Sequence, residues 1–322
     1  MRLLGDIGGT KALLALGAED APAERFLVRQ KLACADYRDF PSLLTAFLSA
    51  AGVSTAEITG GCLAVAGPIA DDGLSARLTN LPWTVDAQAL ARQCGIGPLR
   101  LVNDFAAAAL GTTALHDEQR VVLQPGQPLD TGVRLVIGAG TGLGMATLIP
   151  ERQGWRVLPG EGGHTGFAPA DALQAELWVH LRCRHDRVSY EHIVSGPGLV
   201  EIYRFTAGTT ADPALFGAVD PAAAVAAEAM QRPGSAREAL DLFVAIFGAF
   251  AGDMALALMA RGGVFVAGGI AARIMPALQS GRFTSAFCAK GGHSALAARM
   301  PIAVVTEDDL GLIGAALYDR SH

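Results

Sequence analysis

Apolar residues fall into short β-branched runs separated by glycine-dense turns, and two such patterns are near copies. Leu3-Leu4-Gly5-Asp6-Ile7-Gly8-Gly9-Thr10-Lys11-Ala12-Leu13-Leu14-Ala15-Leu16 reads apolar run, Gly-Gly-Thr turn, apolar run. Leu135-Val136-Ile137-Gly138-Ala139-Gly140-Thr141-Gly142-Leu143-Gly144-Met145-Ala146-Thr147-Leu148-Ile149 repeats it. Each predicts two strands joined by a tight turn, a hairpin and not the strand-to-helix turn of a dinucleotide fold. Alone, either is a plain hairpin. Twice, they suggest a duplicated architecture whose glycine turns grip a chain of phosphates, because successive backbone N–H groups form an anion-binding concavity.

The same pattern predicts a strand over residues 25–32 and a helix over 37–51 on Leu43, Leu44, Phe47 and Leu48. A buried strand follows over 61–66. A helix over 85–94 has Thr84 as N-cap and Gly95 as stop. The strand Leu99–Val102 ends on Asn103-Asp104-Phe105, where a helix begins, so Asp104 lies at a strand's carboxyl end, where open α/β sheets bind ligands. The competing explanation is that Asp104 merely caps the helix. Asn80 and Trp83 can flank a polar ligand or serve as cap and core. Residues 111–132 form a polar connection and the expected hinge. Further on, Glu161 and His164 sit in a glycine cluster, and Glu191 precedes Gly196-Pro197-Gly198, as a ligand group or as a first-turn acid. A metal on Glu161 and His164 lacks an evident third ligand. Helices continue through 170–183 and 206–238. The apolar stretch 242–260 is a core helix, since Asp241 and Asp253 leave no uninterrupted bilayer-spanning run. Gly263–Ala267 is a strand running into Gly268-Gly269, a third close backbone approach. A strand over 302–306, an acidic loop and a helix through Gly311 and Gly314 complete the pattern.

Composition narrows the class. The 322 residues, 51% hydrophobic and 17% charged, have core enough for two domains. A net charge of −6 with no basic run argues against a nucleic-acid partner. Five scattered cysteines without CxxC spacing argue against disulfides and structural zinc, and fit a reducing cytoplasm. The N-terminus lacks the basic and apolar regions of a signal peptide, and no membrane association is expected.

The ordered stretches Gly5-Asp6-Ile7-Gly8-Gly9-Thr10, Val102-Asn103-Asp104-Phe105 and Gly138-Ala139-Gly140-Thr141-Gly142-Leu143-Gly144 resemble the bacterial glucokinase family. So do Leu158-Pro159-Gly160-Glu161-Gly162-Gly163-His164, Val194-Ser195-Gly196-Pro197-Gly198-Leu199, Gly263-Val264-Phe265-Val266-Ala267-Gly268-Gly269 and Gly311-Leu312-Ile313-Gly314. The family belongs to the hexokinase/actin/heat-shock ATPase superfamily, and the resemblance spans essentially the whole chain.

The resemblance implies an α/β, two-domain, actin-like (ribonuclease H-like) sugar kinase fold with a central cleft. Residues 1–112 plus 302–322 would form the small domain and 113–301 the large one. It implies ATP with Mg²⁺ and transfer of the γ-phosphoryl to the 6-hydroxyl of glucose, with Asp104 as general base. Asn80, Asn103, Asp104, Glu161, His164 and Glu191 would bind sugar. Gly5, Asp6, Ile7, Gly8, Gly9, Thr10, Gly138, Gly140, Thr141, Gly142, Gly268 and Gly269 would bind nucleotide, and Asp6 would reach the metal. It also implies a cytoplasmic homodimer.

One departure is Lys11, where these kinases usually carry Asn. Lysine is usual in the sister family of repressor-like sugar kinases, but the cysteine-rich zinc motif of that family does not follow His164. The alternatives are a kinase for another hexose or an N-acetylated amino sugar, and a non-catalytic sugar-sensing regulator. The intact Asp104 and the lack of room for an N-terminal helix-turn-helix weigh against the regulator.

Overall fold

The computed structural model describes residues 1–79 and 81–321, so the expectation for Asn80 lies outside the described residues. Two compact units are present: unit 1 comprises Met1–His116, Val157–Pro159 and Glu307–His322, and unit 2 comprises Asp117–Arg156 and Gly160–Thr306.

In unit 1 the strands are β1 (Arg2–Ile7), β2 (Lys11–Gly17), β3 (Phe26–Ala33), β4 (Gly60–Val65), β5 (Ser75–Arg77), β6 (Thr84–Asp86) and β7 (Leu99–Asn103). Five of them form one sheet in the order β3-β2-β1-β4-β7, and β5 and β6 make a separate ribbon. The first hairpin is as expected: β1 and β2 are antiparallel, with Ile7 opposite Ala12. β1, β4 and β7 run parallel.

Alternation of side chains along β1 sorts the two faces of the sheet. Leu3 and Ile7 join Leu14, Phe40, Leu43, Phe47 and Leu63 in one core cluster, on the side of the helix Phe40–Ala51. Leu4 faces the opposite way, against Leu312, Ile313 and Ala316 of the C-terminal helix Leu310–Ser321. That helix crosses the helix Asp104–Gly111 at van der Waals distance. A Cβ on Gly314 would fall 1.7 Å from the Ala107 carbonyl oxygen, so only glycine permits the crossing.

Capping explains the helix starts. Asp39 opens Phe40–Ala51 with a reciprocal Ser42 capping box, and Gly52 closes it in the left-handed region. The next helix starts at Ala87 with Asp86 as its cap, because Thr84 is taken up in β6; Gly95 ends it as expected.

In unit 2 the strands are β8 (Arg120–Gln124), β9 (Arg134–Ala139), β10 (Leu143–Pro150), β11 (Trp155–Gly160), β12 (Gly263–Ala267) and β13 (Ile302–Val305). They form a six-stranded sheet in the order β11-β10-β9-β12-β13-β8. The second hairpin, β9–β10, pairs Ala139 with Leu143, again as expected. Two boundaries differ from expectation. The connection over 111–132 contains a strand, β8, antiparallel to β13. The strand β13, grouped by sequence with the small domain, is bonded in this second sheet, parallel to β12.

The helix Ser235–Leu258 is long and apolar enough to cross a bilayer, but it is the core of unit 2. Phe243, Phe247 and Phe250 are fully buried on it, and Phe247 meets Phe283 edge-to-face at 5.4 Å. Gly248 and Gly252 let the helix Arg282–Cys288 press against it, since a Cβ at either would strike that helix's carbonyl oxygens.

Candidate functional site

Sheet register decides what unit 1 can present. Ile7 lies beside Val65, and Val65 beside Asn103. The turn Gly8–Thr10, the segment after β4, and Asn103-Asp104 therefore emerge from one carboxyl edge, with the outer strands about 10 Å apart. This is where a parallel sheet opens to ligands.

Asn103 is the N-cap of Asp104–Gly111, its Oδ1 accepting from the Ala106 N–H at 3.1 Å while its Nδ2 donates to the Gly67 carbonyl at 3.5 Å. Asp104 is thereby relieved of capping. It occupies the first helical position, half-buried, with Oδ1 accepting from the Phe105 N–H at 2.9 Å.

The first glycine turn divides its residues. Gly5 and Ile7 are buried, and a Cβ on Gly5 would fall 2.7 Å from Leu63 Cδ2, so these two serve packing. Gly8, Gly9 and Thr10 line the turn itself, closed by the Gly8 N–H donating to the Lys11 carbonyl at 3.0 Å. Asp6 points to the face covered by the C-terminal helix, and a Cβ on Gly311 would lie 2.3 Å from its Oδ2. Its pKa is pushed up to about 6, by desolvation first and then by the charge of Asp309.

The acidic run Glu307-Asp308-Asp309 is thus not simply a solvated loop. Asp309 is largely shielded and accepts from Arg29 Nε at 2.6 Å. Sequence reasoning missed Asp309 and the role of Gly311, because only the folded sheet brings them to Asp6. Asp6 supplies a hard oxygen donor in a cradle with no room for a side chain at position 311, which suits Mg²⁺. Among the described residues, no group of three His, Cys, Asp or Glu side chains is placed to hold a metal unaided.

In unit 2 three glycine segments converge. The Gly196 N–H donates to the Gly140 carbonyl at 2.8 Å, and the Gly140 N–H donates to the Gly142 carbonyl at 2.8 Å. Gly138 pairs with Ala267, and Gly268, at φ +91°, would clash through a Cβ with the Ala139 carbonyl. Gly138 itself is buried in β9, while Thr141, Gly268 and Gly269 are exposed.

Beside this loop lie Glu161, His164 and Glu191. His164 stands between the two carboxylates, its Nε2 3.8 Å from Glu161 Oε2 and its Nδ1 3.9 Å from Glu191 Oε1. Glu161 and His164 are exposed and Glu191 is about two-thirds buried. A short antiparallel bridge holds the two segments together, the Phe167 N–H donating to the Val188 carbonyl at 3.0 Å and the Tyr190 N–H to the Thr165 carbonyl at 3.1 Å. Glu191 is no mere first-turn acid: its Oε2 accepts from the Leu143 N–H at 2.8 Å, at the end of the glycine loop. Such a set of acceptors and one ring N–H matches vicinal hydroxyls, each of which donates and accepts.

Two α/β units with glycine hairpins, a carboxylate at the sheet edge of the first and a Glu/His/Glu set in the second define a sugar kinase of the two-domain actin-like type. Comparison with known proteins gives the particular member. The family model for glucokinase matches residues 3–322. The glucokinase of Mesorhizobium japonicum is 38% identical, over 99% of this chain and 91% of its own. The crystal structure of a glucokinase from an Antarctic psychrotroph is 34% identical, with a TM-score of 0.81 over 99% of this chain and 98% of that one. That of Balamuthia mandrillaris glucokinase, solved in complex with glucose, is 26% identical, with a TM-score of 0.83 over 99% and 93%. The chain belongs to the glucokinase family.

Proposed function

We propose that this enzyme transfers the γ-phosphoryl group of ATP to the 6-hydroxyl of glucose, with Asp104 as general base. The observation that carries the assignment is the division of labour at the start of the helix Asp104–Gly111. Asn103 caps it, and the Asp104 carboxylate stands at the ligand edge of the sheet, where a general base would take the hydroxyl proton. In the reaction the hydroxyl oxygen attacks the γ-phosphorus, its proton passes to Asp104, and the bond to the β–γ bridging oxygen breaks to release ADP.

Asn103, Glu161, His164 and Glu191 hold the remaining hydroxyls. A site of this kind rejects a sugar lacking one of them, because its own polar groups would be left unpaired. The N–H groups of Gly9 and Thr10 in the first turn and of Thr141 and Gly142 in the second loop face the phosphates in this reading, and Gly268–Gly269 lie open for the nucleoside. Asp6 would hold Mg²⁺, directly or through water. When bound, that ion neutralises phosphate charge. The family further implies a cytoplasmic homodimer; light scattering on the purified protein tests the assembly.

The test of the activity is an ADP-release assay with ATP and Mg²⁺ against glucose, mannose, fructose, 2-deoxyglucose and N-acetylglucosamine. Strong preference for glucose is expected. Preference for another sugar reassigns the pocket, and binding without turnover on any of them refutes the kinase.

A further inference from the structure

We propose that Glu191 couples the sugar pocket to the phosphate loop, so that hexose binding sets the conformation of Gly140–Leu143 before any nucleotide arrives. The inference rests on the functional reading above and adds a role that the reading does not contain. The two carboxylate oxygens of Glu191 face different ligands. Oε1 looks toward His164 Nδ1 at 3.9 Å, a gap that a sugar hydroxyl can close, whereas Oε2 is committed to the Leu143 N–H at 2.8 Å. The same segment reaches the loop's other end through the Gly196 N–H on the Gly140 carbonyl. Residues 191–196 therefore span the loop, clamping it at positions 140 and 143.

The loop is also shaped to admit the carboxylate. A Cβ on Gly142 would lie 2.5 Å from Glu191 Oε2 and 3.2 Å from its carboxyl carbon, while one on Gly140 would meet nothing within 4 Å. Neither glycine has a positive φ, so alanine fits the backbone at both. The atom that must give way at position 142 is the end of a flexible side chain, so the Gly142→Ala protein folds and only the carboxylate is displaced. A sugar hydroxyl that fixes Oε1 restricts the rotation of the whole carboxylate and hence steadies the Leu143 N–H. Reciprocity requires that an ordered loop favour the sugar in return.

The experiment is glucose titration by calorimetry in the absence of nucleotide, on wild type, Gly142→Ala and Gly292→Ala. Losing a charge-assisted hydrogen bond and the orientation it enforces weakens glucose binding about tenfold or more in Gly142→Ala. Gly292→Ala, the same change at a position outside the loop where a Cβ meets nothing within 4 Å, leaves the glucose affinity at its wild-type value. Amide hydrogen exchange on the wild type gives a second measure that needs no variant. Glucose alone slows exchange at Leu143.

Wild-type protein that binds no hexose overturns the functional reading and this inference together. Wild type that binds glucose, with Gly142→Ala equal to it, overturns the coupling and leaves the reading standing. Exchange at Leu143 indifferent to glucose, while residues 161–165 become protected, does the same.

Discussion

Asp104→Asn separates chemistry from architecture at one position. The amide keeps the shape of the carboxylate and its oxygen can still accept from the Phe105 N–H, now at 2.9 Å. The cap is Asn103, so the helix Asp104–Gly111 keeps its first hydrogen bond from the Ala106 N–H. What the fold loses is the favourable placement of a negative charge at a helix N-terminus, worth about 0.3–1 kcal/mol. For a chain of this size that shifts Tm by less than about 4 °C. With Asp104 as the proposed base, the reaction loses its proton acceptor, and removing a general base lowers kcat by about 10²–10⁴-fold, equivalent to about 3–5.5 kcal/mol of barrier. The effect on the reaction thus exceeds the effect on the fold several-fold. The assays are coupled ADP release for kcat and KM, and differential scanning fluorimetry for Tm. Turnover within about tenfold of wild type would refute the base assignment. A collapse of Tm with a proportionate loss of activity would show that Asp104 is architectural. The complementary Asn103→Ala removes the cap, costs about 1 kcal/mol of stability, and reduces kcat far less.

Three further outcomes are expected. Asp319, with a side chain only 4% exposed, accepts two hydrogen bonds from Arg2, each at 2.6 Å, and a longer one from Arg100; Asp319→Ala leaves the mostly buried Arg2 cation with only Glu19, 4.0 Å away, and lowers stability by about 3 kcal/mol, read as a lower urea midpoint. A Cβ on Gly61 would fall 1.8 Å from the Leu3 carbonyl oxygen between paired strands, so Gly61→Ala loses more than about 3 kcal/mol and yields little soluble protein; normal expression with wild-type Tm would count against the β1–β4 packing. Under a thiol reagent Cys183, the exposed cysteine, reacts first, whereas Cys62 reacts only on unfolding, because burial and then the nearby Asp319 charge push its thiol far up; early labelling of Cys62 by mass spectrometry would contradict its burial.

Much of the site was legible in sequence because its parts are local. A β-branched run, a glycine turn and a second run can hardly be anything but a hairpin, and both turned out as antiparallel hairpins. The strand ending at Asn103-Asp104 is equally local. What escaped was set by distant residues. The strand β8 is short, lies at the sheet edge and has no fully buried residue, and its Val121-Val122-Leu123 run is only three residues long within a polar connection. Thr84 looked like a cap, but pairing with Arg77 holds it in the ribbon and passes the duty to Asp86. The acidic run reads as solvated until Arg29 is brought to Asp309. The hydrogen bond from Leu143 to Glu191 joins residues 48 apart in sequence, and no local pattern foretells it.

The threading of unit 1 bears on synthesis. Its sheet is complete once residue 103 has been made, and the helix Asp104–Gly111 then packs Ala106 and Ala107 on Cys62, Ala64 and Val102, yet the cover over Leu4 and the rest of that face is completed only when residues 310–321 arrive. The same helix brings Gly311 against Asp6. On a translating ribosome the nascent unit therefore waits, through the whole of unit 2, with one side of its sheet only partly covered and its Asp6 in water. Premature termination anywhere before the last helix releases a chain that is sticky and lacks the packing of Gly311 on Asp6, and a stalled product of this kind is a substrate for chaperones and proteases and not a partly active kinase.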